Sequence, residues 1–183
     1  QKFGPVIPGD IKYQDTNNDG VIDPSDRVPI KCFSVPTLTG GLSLGFNLYG
    51  FDFSMLLSGA TGGTARLWAY PSSVVNLRRW TKETPDAILP VAHTTANNNV
   101  ISDQNLMKTD YLKIRNIELG YTFPAEWMKK IRITTARIYL NAQNVAVWDK
   151  MWLKDRDPES AGSGTLPYPL QRVFNIGLRF ELQ

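Results

Sequence analysis

The last ten residues before the terminus carry a pattern that few folds accept. Phe174, Ile176, Leu178, Phe180 and Leu182 stand on one parity and Val173, Asn175, Gly177, Arg179 and Glu181 on the other. A period of two sustained this long is that of a β-strand with one face in an apolar medium. The pattern returns at Leu42, Leu44, Phe46 and Leu48, and after Tyr49-Gly50 at Phe51, Phe53, Met55 and Leu57. These two runs predict a tight hairpin with both apolar faces on one side.

Two further strands follow. One runs over 111–123, where Ile117, Leu119, Tyr121 and Phe123 alternate but Leu112 and Ile114 sit on the opposite parity. A bulge near Arg115 or Asn116 reconciles them. The other, over 131–147, places Ala136, Ile138, Leu140 and Ala142 opposite Arg137, Tyr139, Asn141 and Gln143. The expectation is an all-β chain of antiparallel strands at about 38–48, 51–59, 111–123, 131–147 and 172–182. The 14 glycines and 12 prolines agree, because they punctuate the chain too often for long helices.

No run reaches the roughly 18 apolar residues of a spanning helix, but spanning β-strands need only about 9–11 residues and escape that criterion. The connections alternate in length: Tyr49-Gly50 and Pro124–Lys130 are short, whereas those at about 60–109 and 148–171 are long. Outer-membrane barrels have short periplasmic turns and long extracellular loops. On that assignment residues 1–36 form an extracellular loop, 37–183 the barrel strands with their loops, and the C-terminus is periplasmic. Five strands cannot close a membrane barrel, since about 8 is the minimum, so further strands are required. The rival is a soluble sandwich, which a gap of about 50 residues between strands disfavours.

The net charge of +3 comes from scattered Lys and Arg, which gives poor support to a nucleic-acid footprint. The single cysteine, Cys32, excludes an internal disulfide, and a buried thiol is its expected state.

The sharpest chemical motif is Asp15-Thr16-Asn17-Asn18-Asp19-Gly20-Val21-Ile22-Asp23-Pro24-Ser25-Asp26. Oxygen side chains at Asp15, Asn17, Asp19, Asp23 and Asp26, a glycine at the sixth position and the Val21 carbonyl at the seventh match a twelve-residue calcium loop. Asp26 stands where a helical EF-hand has Glu, and Pro24 opposes an exiting helix. The motif thus looks like the calcium loops of dockerins and cell-surface modules, with a structural Ca2+ held at about 10⁻⁴–10⁻³ M. The competing reading is a loop of Asx turns that binds nothing.

Several segments, taken in order, resemble the C-terminal end of SusC/RagA-type TonB-dependent transporters. They are Gly9–Tyr13 before the calcium-like loop, Pro36–Gly41, Arg79-Trp80-Thr81, Asp110–Tyr121, Ala136–Val145, Asp157-Pro158-Glu159 and Tyr168-Pro169. The resemblance implies a wall segment of a large, 22-stranded, plugged barrel in the bacterial outer membrane. Such transporters import oligosaccharides or peptides with energy passed on by TonB, under a SusD-type surface lipoprotein. It also implies a plug, a TonB-contacting segment and further strands in an N-terminal part, and contact with membrane lipid. Chains of this kind usually end on an aromatic residue, whereas this one ends Phe180-Glu181-Leu182-Gln183.

Trp68, Trp80, Trp148, Trp152 and Tyr168 lie in or beside the long loops. They are candidates for contact with substrate or lid, against the alternatives of loop packing and the aromatic girdle at the membrane interface. A secreted calcium-dependent carbohydrate-binding β-module is the main rival function. Catalysis is disfavoured: Asp155, Asp157 and Glu159 crowd too closely to flank a glycosidic bond, and His93 has no motif around it.

Overall fold

The computed structural model describes residues 4–66, 79–92, 96–129, 132–154, 156–161 and 170–182. Its elements are β1 (Leu38–Leu48), β2 (Phe51–Thr61), β3 (Thr64–Arg66), β4 (Leu106–Lys108), β5 (Tyr111–Thr122), α1 (Ala125–Lys129), β6 (Ile133–Asp149) and β7 (Val173–Leu182). Five strands form one antiparallel sheet in the order β1-β2-β5-β6-β7, and β3 and β4 pair in a small separate ribbon. At a rise of about 3.3 Å per residue and a tilt near 45°, strands of this length cross roughly the 25 Å apolar band of an outer membrane. β6, at 17 residues, runs beyond it.

The hairpin between β1 and β2 turns on Tyr49 (φ 49°) and Gly50 (φ 85°). Two successive left-handed residues make the type I′ turn that matches strand twist. In β5 the register with β2 passes from Leu57↔Ile114 to Leu56↔Asn116, leaving Arg115 as the extra residue. That bulge brings Leu112 and Ile114 onto the same face as Ile117, Leu119 and Tyr121. A second irregularity in β6 absorbs Asn144 (φ 53°) and Val145, between Gln143↔Asn116 and Ala146↔Ile114.

The outer face is read directly from the rungs Leu44–Met55–Ile117–Ala142–Phe174 and Phe46–Phe53–Leu119–Leu140–Ile176. Nothing covers it. Phe174 and Ile176 are each 72% exposed and Leu178 is 68% exposed. At about 1.5–3 kcal/mol for each large apolar side chain kept out of a nonpolar environment, such a face is not compatible with plain water. Both outer edges of the sheet, β1 and β7, are unpaired among the described residues. An open edge cannot face lipid, so the sheet is part of a barrel.

Near the turn end, rings gather on this face: Phe46 stacks on Phe53 at 5.2 Å, Phe51 lies 4.6 Å from Tyr121, and Tyr121 meets Phe123 edge-on at 5.3 Å. Trp127 of α1 is exposed beside them in the chain. Such a cluster fits an interfacial girdle.

The buried apolar cluster among the described residues lies in the loops rather than against the sheet. Ala65, Leu89 and Met107 from the β2–β5 connection pack with Met151, Leu153 and Ala161 from the β6–β7 connection, and Trp152 leans on them. One expectation fails. Cys32 is exposed, because 27–35 has no regular structure and is exposed throughout.

Candidate functional site

Three surfaces have chemistry: the inner wall, the loop end of the sheet and the acidic loop before β1.

On the inner wall the rungs are Asp52–Gly120–Tyr139–Gly177 and Ser54–Glu118–Asn141–Asn175. Arg137 binds Asp52 through Nε (2.9 Å to Oδ1) and a second, very short contact, and also binds Glu118 at 2.7 Å. Its guanidinium carbon lies 5.0 Å from the centre of the Tyr139 ring. Asn141 donates to Asn116 (2.9 Å) and to Glu118 (3.2 Å). This polar network joins β2, β5 and β6. Glycine makes room for it, since a Cβ on Gly120 would strike Arg137 and Asp52, and one on Gly177 would strike the Tyr139 ring.

At the loop end, Lys113 is buried on β5 and donates to both oxygens of Asp157 (2.7 and 2.6 Å) and to Glu159 (2.7 Å). Glu159 also receives Tyr111 Oη at 2.7 Å and a very short contact from Arg115, whose Nε reaches Ser58 Oγ of β2 at 2.7 Å. Burial pushes the Glu159 carboxyl up, but the bonds from Lys113, Tyr111 and Arg115 together outweigh it and hold the group at about 2. Its ordinary value is 4.5. A folded-state pKa below the ordinary one stabilises fully above the ordinary value and is lost as pH falls through the folded one. In thermal melts, the difference between the native protein and Glu159→Gln should therefore be constant above about pH 5, fall steadily as pH drops toward 2, and vanish only below about 2. A difference independent of pH would contradict this assignment.

A cleft of about 280 Å³ is assembled from 9–12, 80, 87–90 and 103–104, lined by Trp80, Lys12 and Asp103 among others. Gly9 packs so closely on the Trp80 indole that no side chain fits there. The buried Asn97 and its neighbour Asn98 tie these segments together: Asn98 bridges Asp10, Val91 and the Ile11 amide, while the Asn97 carbonyl accepts from Tyr13 Oη at 2.6 Å.

The acidic loop is built of Asx turns. Asp15 accepts from the Asn18 and Gly20 amides (2.7 and 2.8 Å), Asn17 from Asp19 (2.9 Å) and Asp19 from Val21 (2.8 Å). Asp26 accepts from the amides of Thr16 and Asp23, each at 2.8 Å, which closes the loop on itself. Its carboxyl is held below the usual range, chiefly by the Asp23 amide and then by that of Thr16. Pro24–Asp26 is one short 3-10 turn capped by Asp23, with Pro24 at its first position, where its missing N–H costs no bond. The oxygen-only donor set of Asp15, Asn17, Asp19, Asp23, Asp26 and the Val21 carbonyl suits a hard cation. Among the described residues, however, no three His, Cys, Asp or Glu side chains gather closely enough to hold one.

The aromatic candidates separate. Trp80 lines the cleft and Trp152 packs on the loop cluster, whereas Trp148 pairs with Leu112 on the outer face. A Trp there fits the membrane girdle. Trp68, Tyr168, Asp155 and His93 lie outside the described residues. Lys113 escaped sequence reasoning, because its partners are 44 and 46 positions away and only its place between Leu112 and Ile114 marks it.

A sheet with a bare apolar exterior, a charged interior and long connections at one end defines a wall of a large membrane barrel. No family model matches the chain. It is 24% identical to TonB-dependent receptor P26 of Formosa agariphila over 95% of its own length and 20% of that protein's. It is 28% identical to receptor P39 of the same organism, covering 94% of this chain and 19% of that one. With TonB-dependent receptor SusC of Bacteroides thetaiotaomicron it shares 24% identity, across 95% of this chain and 18% of the relative. Among solved structures, the RagAB peptide transporter superposes with a TM-score of 0.64 at 21% identity, covering 87% of this chain and 19% of that one. The "open-open" RagAB peptide importer gives a TM-score of 0.63 at 20% identity, covering 94% of this chain and 20% of the other. Homologues of this chain are thus TonB-dependent receptors, SusC among them, and its fold is that of a partial transporter barrel. The chain spans about a fifth of the length of these relatives.

Proposed function

We propose that this chain is wall and loop structure of a TonB-dependent outer-membrane importer of oligosaccharides or peptides that works with a SusD-like surface lipoprotein. The carrying observation is the five-stranded sheet, bare and apolar outside and ion-paired inside, which needs both lipid and further strands. Likeness to SusC and to the RagAB peptide transporter supports transport over catalysis and supports a lipoprotein partner. In this reading the long connections and the acidic loop face outward, the C-terminal end of β7 faces the periplasm, and plug and TonB contact lie in other parts of the protein. The test is uptake of labelled peptide and oligosaccharide panels by cells bearing the full-length protein, with and without TonB. Uptake of one class that disappears without TonB supports the reading, and uptake indifferent to TonB refutes it.

Calcium is proposed as a structural ion of residues 15–26. The spacing of oxygen donors and the turns at Asn18 and Gly20 support it, and binding requires the carboxylates to draw together. Terbium luminescence on the full-length protein should show calcium-competed binding at about 10⁻⁴–10⁻³ M, lost in Asp15→Ala and Asp19→Ala. No competition at several-fold higher calcium would return the loop to a set of Asx turns.

A further inference from the structure

We propose that Lys113 is a positioning residue that clamps the β6–β7 loop to the inner wall, so that the two long loops form one fixed body at the mouth and substrate passes it without displacing it. The inference rests on the transporter reading for what passes the mouth, but the clamp itself stands on geometry. The side chain of Lys113 is 3% exposed and that of Asp157 is 11% exposed. An ammonium so far out of water is tolerated only with its charge matched and its donors used. Asp157 and Glu159 do both.

Arg115 and Glu159 complete a set of two cations and two anions with no net charge. Charges matched in this way mark a fastening rather than a binding site. Its anchor points lie on β5 and, through Ser58, on β2, while both acids come from the β6–β7 connection. On the other side, Met151, Leu153 and Ala161 of the same connection pack with Ala65, Leu89 and Met107 of the other long loop. Asp110 adds a stitch between them, accepting from the Gly62 amide at 2.7 Å and from Lys150 at 3.1 Å. Releasing the β6–β7 loop would strand the Lys113 charge and open the apolar cluster together. The described parts of the two loops must therefore move as one unit or not at all.

The experiment is amide hydrogen exchange on the full-length transporter in detergent, following 84–92, 106–112 and 150–161. The proteins compared are the native one, Lys113→Arg, Lys113→Met and Glu159→Gln, with and without a transported substrate. In Lys113→Met all three segments should exchange faster by about tenfold or more, with Lys113→Arg close to native. If Lys113→Met does not assemble, Glu159→Gln decides, and a several-fold rise in 150–161 is expected there. Unchanged exchange in the assembled variants overturns the clamp. So does native protein whose 150–161 segment opens when substrate is added, since that makes the loop a moving gate. Protection of the loops without any transport by the same cells leaves the clamp standing and removes only the transporter reading.

Discussion

Leu178→Arg in the full-length protein should abolish assembly into the outer membrane, whereas Asn175→Arg should assemble. The two positions lie three residues apart on β7 but on opposite faces. Leu178 pairs with Ile138 on the bare exterior, and Asn175 pairs with Asn141 on the charged interior. A cationic side chain on the lipid face near the middle of a strand costs about 2–4 kcal/mol, while a lumen substitution changes selectivity rather than stability. The readout is the heat-modifiable mobility of the folded barrel in membrane fractions. Equal tolerance at both positions would mean that β7 has no lipid face.

A second large effect is expected at Gly120. A Cβ there meets Arg137 and Asp52, so Gly120→Val must drive the guanidinium off its two carboxylates. Losing one partner of a fully buried pair costs about 3–5 kcal/mol, but these side chains are 20–29% exposed, and screening lowers the figure to about 1–3 kcal/mol. Gly120→Ala should fall between the native protein and the valine variant in thermal melts followed by strand signal. A valine variant with native stability would mean that the network contributes nothing to holding β2, β5 and β6 together.

The division between what was legible in the sequence and what was not follows the range of the interactions. Alternation is local, so the five long strands announce themselves within ten or so residues each. Even the bulge was legible, because the change of parity between Ile114 and Ile117 has one cheap solution, an extra residue at Arg115 or Asn116. Tyr49-Gly50 was legible for the same reason. The β3–β4 ribbon was not, since three-residue strands carry no period and are joined across 39 intervening residues. The loop cluster is assembled from single alanines, leucines and methionines of two connections, each unremarkable in its own neighbourhood. Lys113 reads locally as an ordinary lumen-facing charge, and only the fold brings Asp157 and Glu159 to it. Cys32 failed for the opposite reason: the usual burial of a free thiol presumes a core, and the segment around it runs exposed. The acidic loop shows the limit of motif reading, as spacing specifies the donors but not whether they converge.

A barrel wall requires lipid on one side of the sheet and an aqueous interior on the other. The most direct test is a single-cysteine scan of positions 173–182 in the full-length protein, with the exposed Cys32 replaced by serine, labelled in intact membranes by a small water-soluble thiol reagent. Reactivity should alternate, with Asn175, Gly177 and Arg179 labelled and Phe174, Ile176, Leu178 and Phe180 protected. Uniform labelling along β7, or the same alternation in a chain that stays soluble without detergent, would contradict the membrane wall and leave a soluble β-protein in its place.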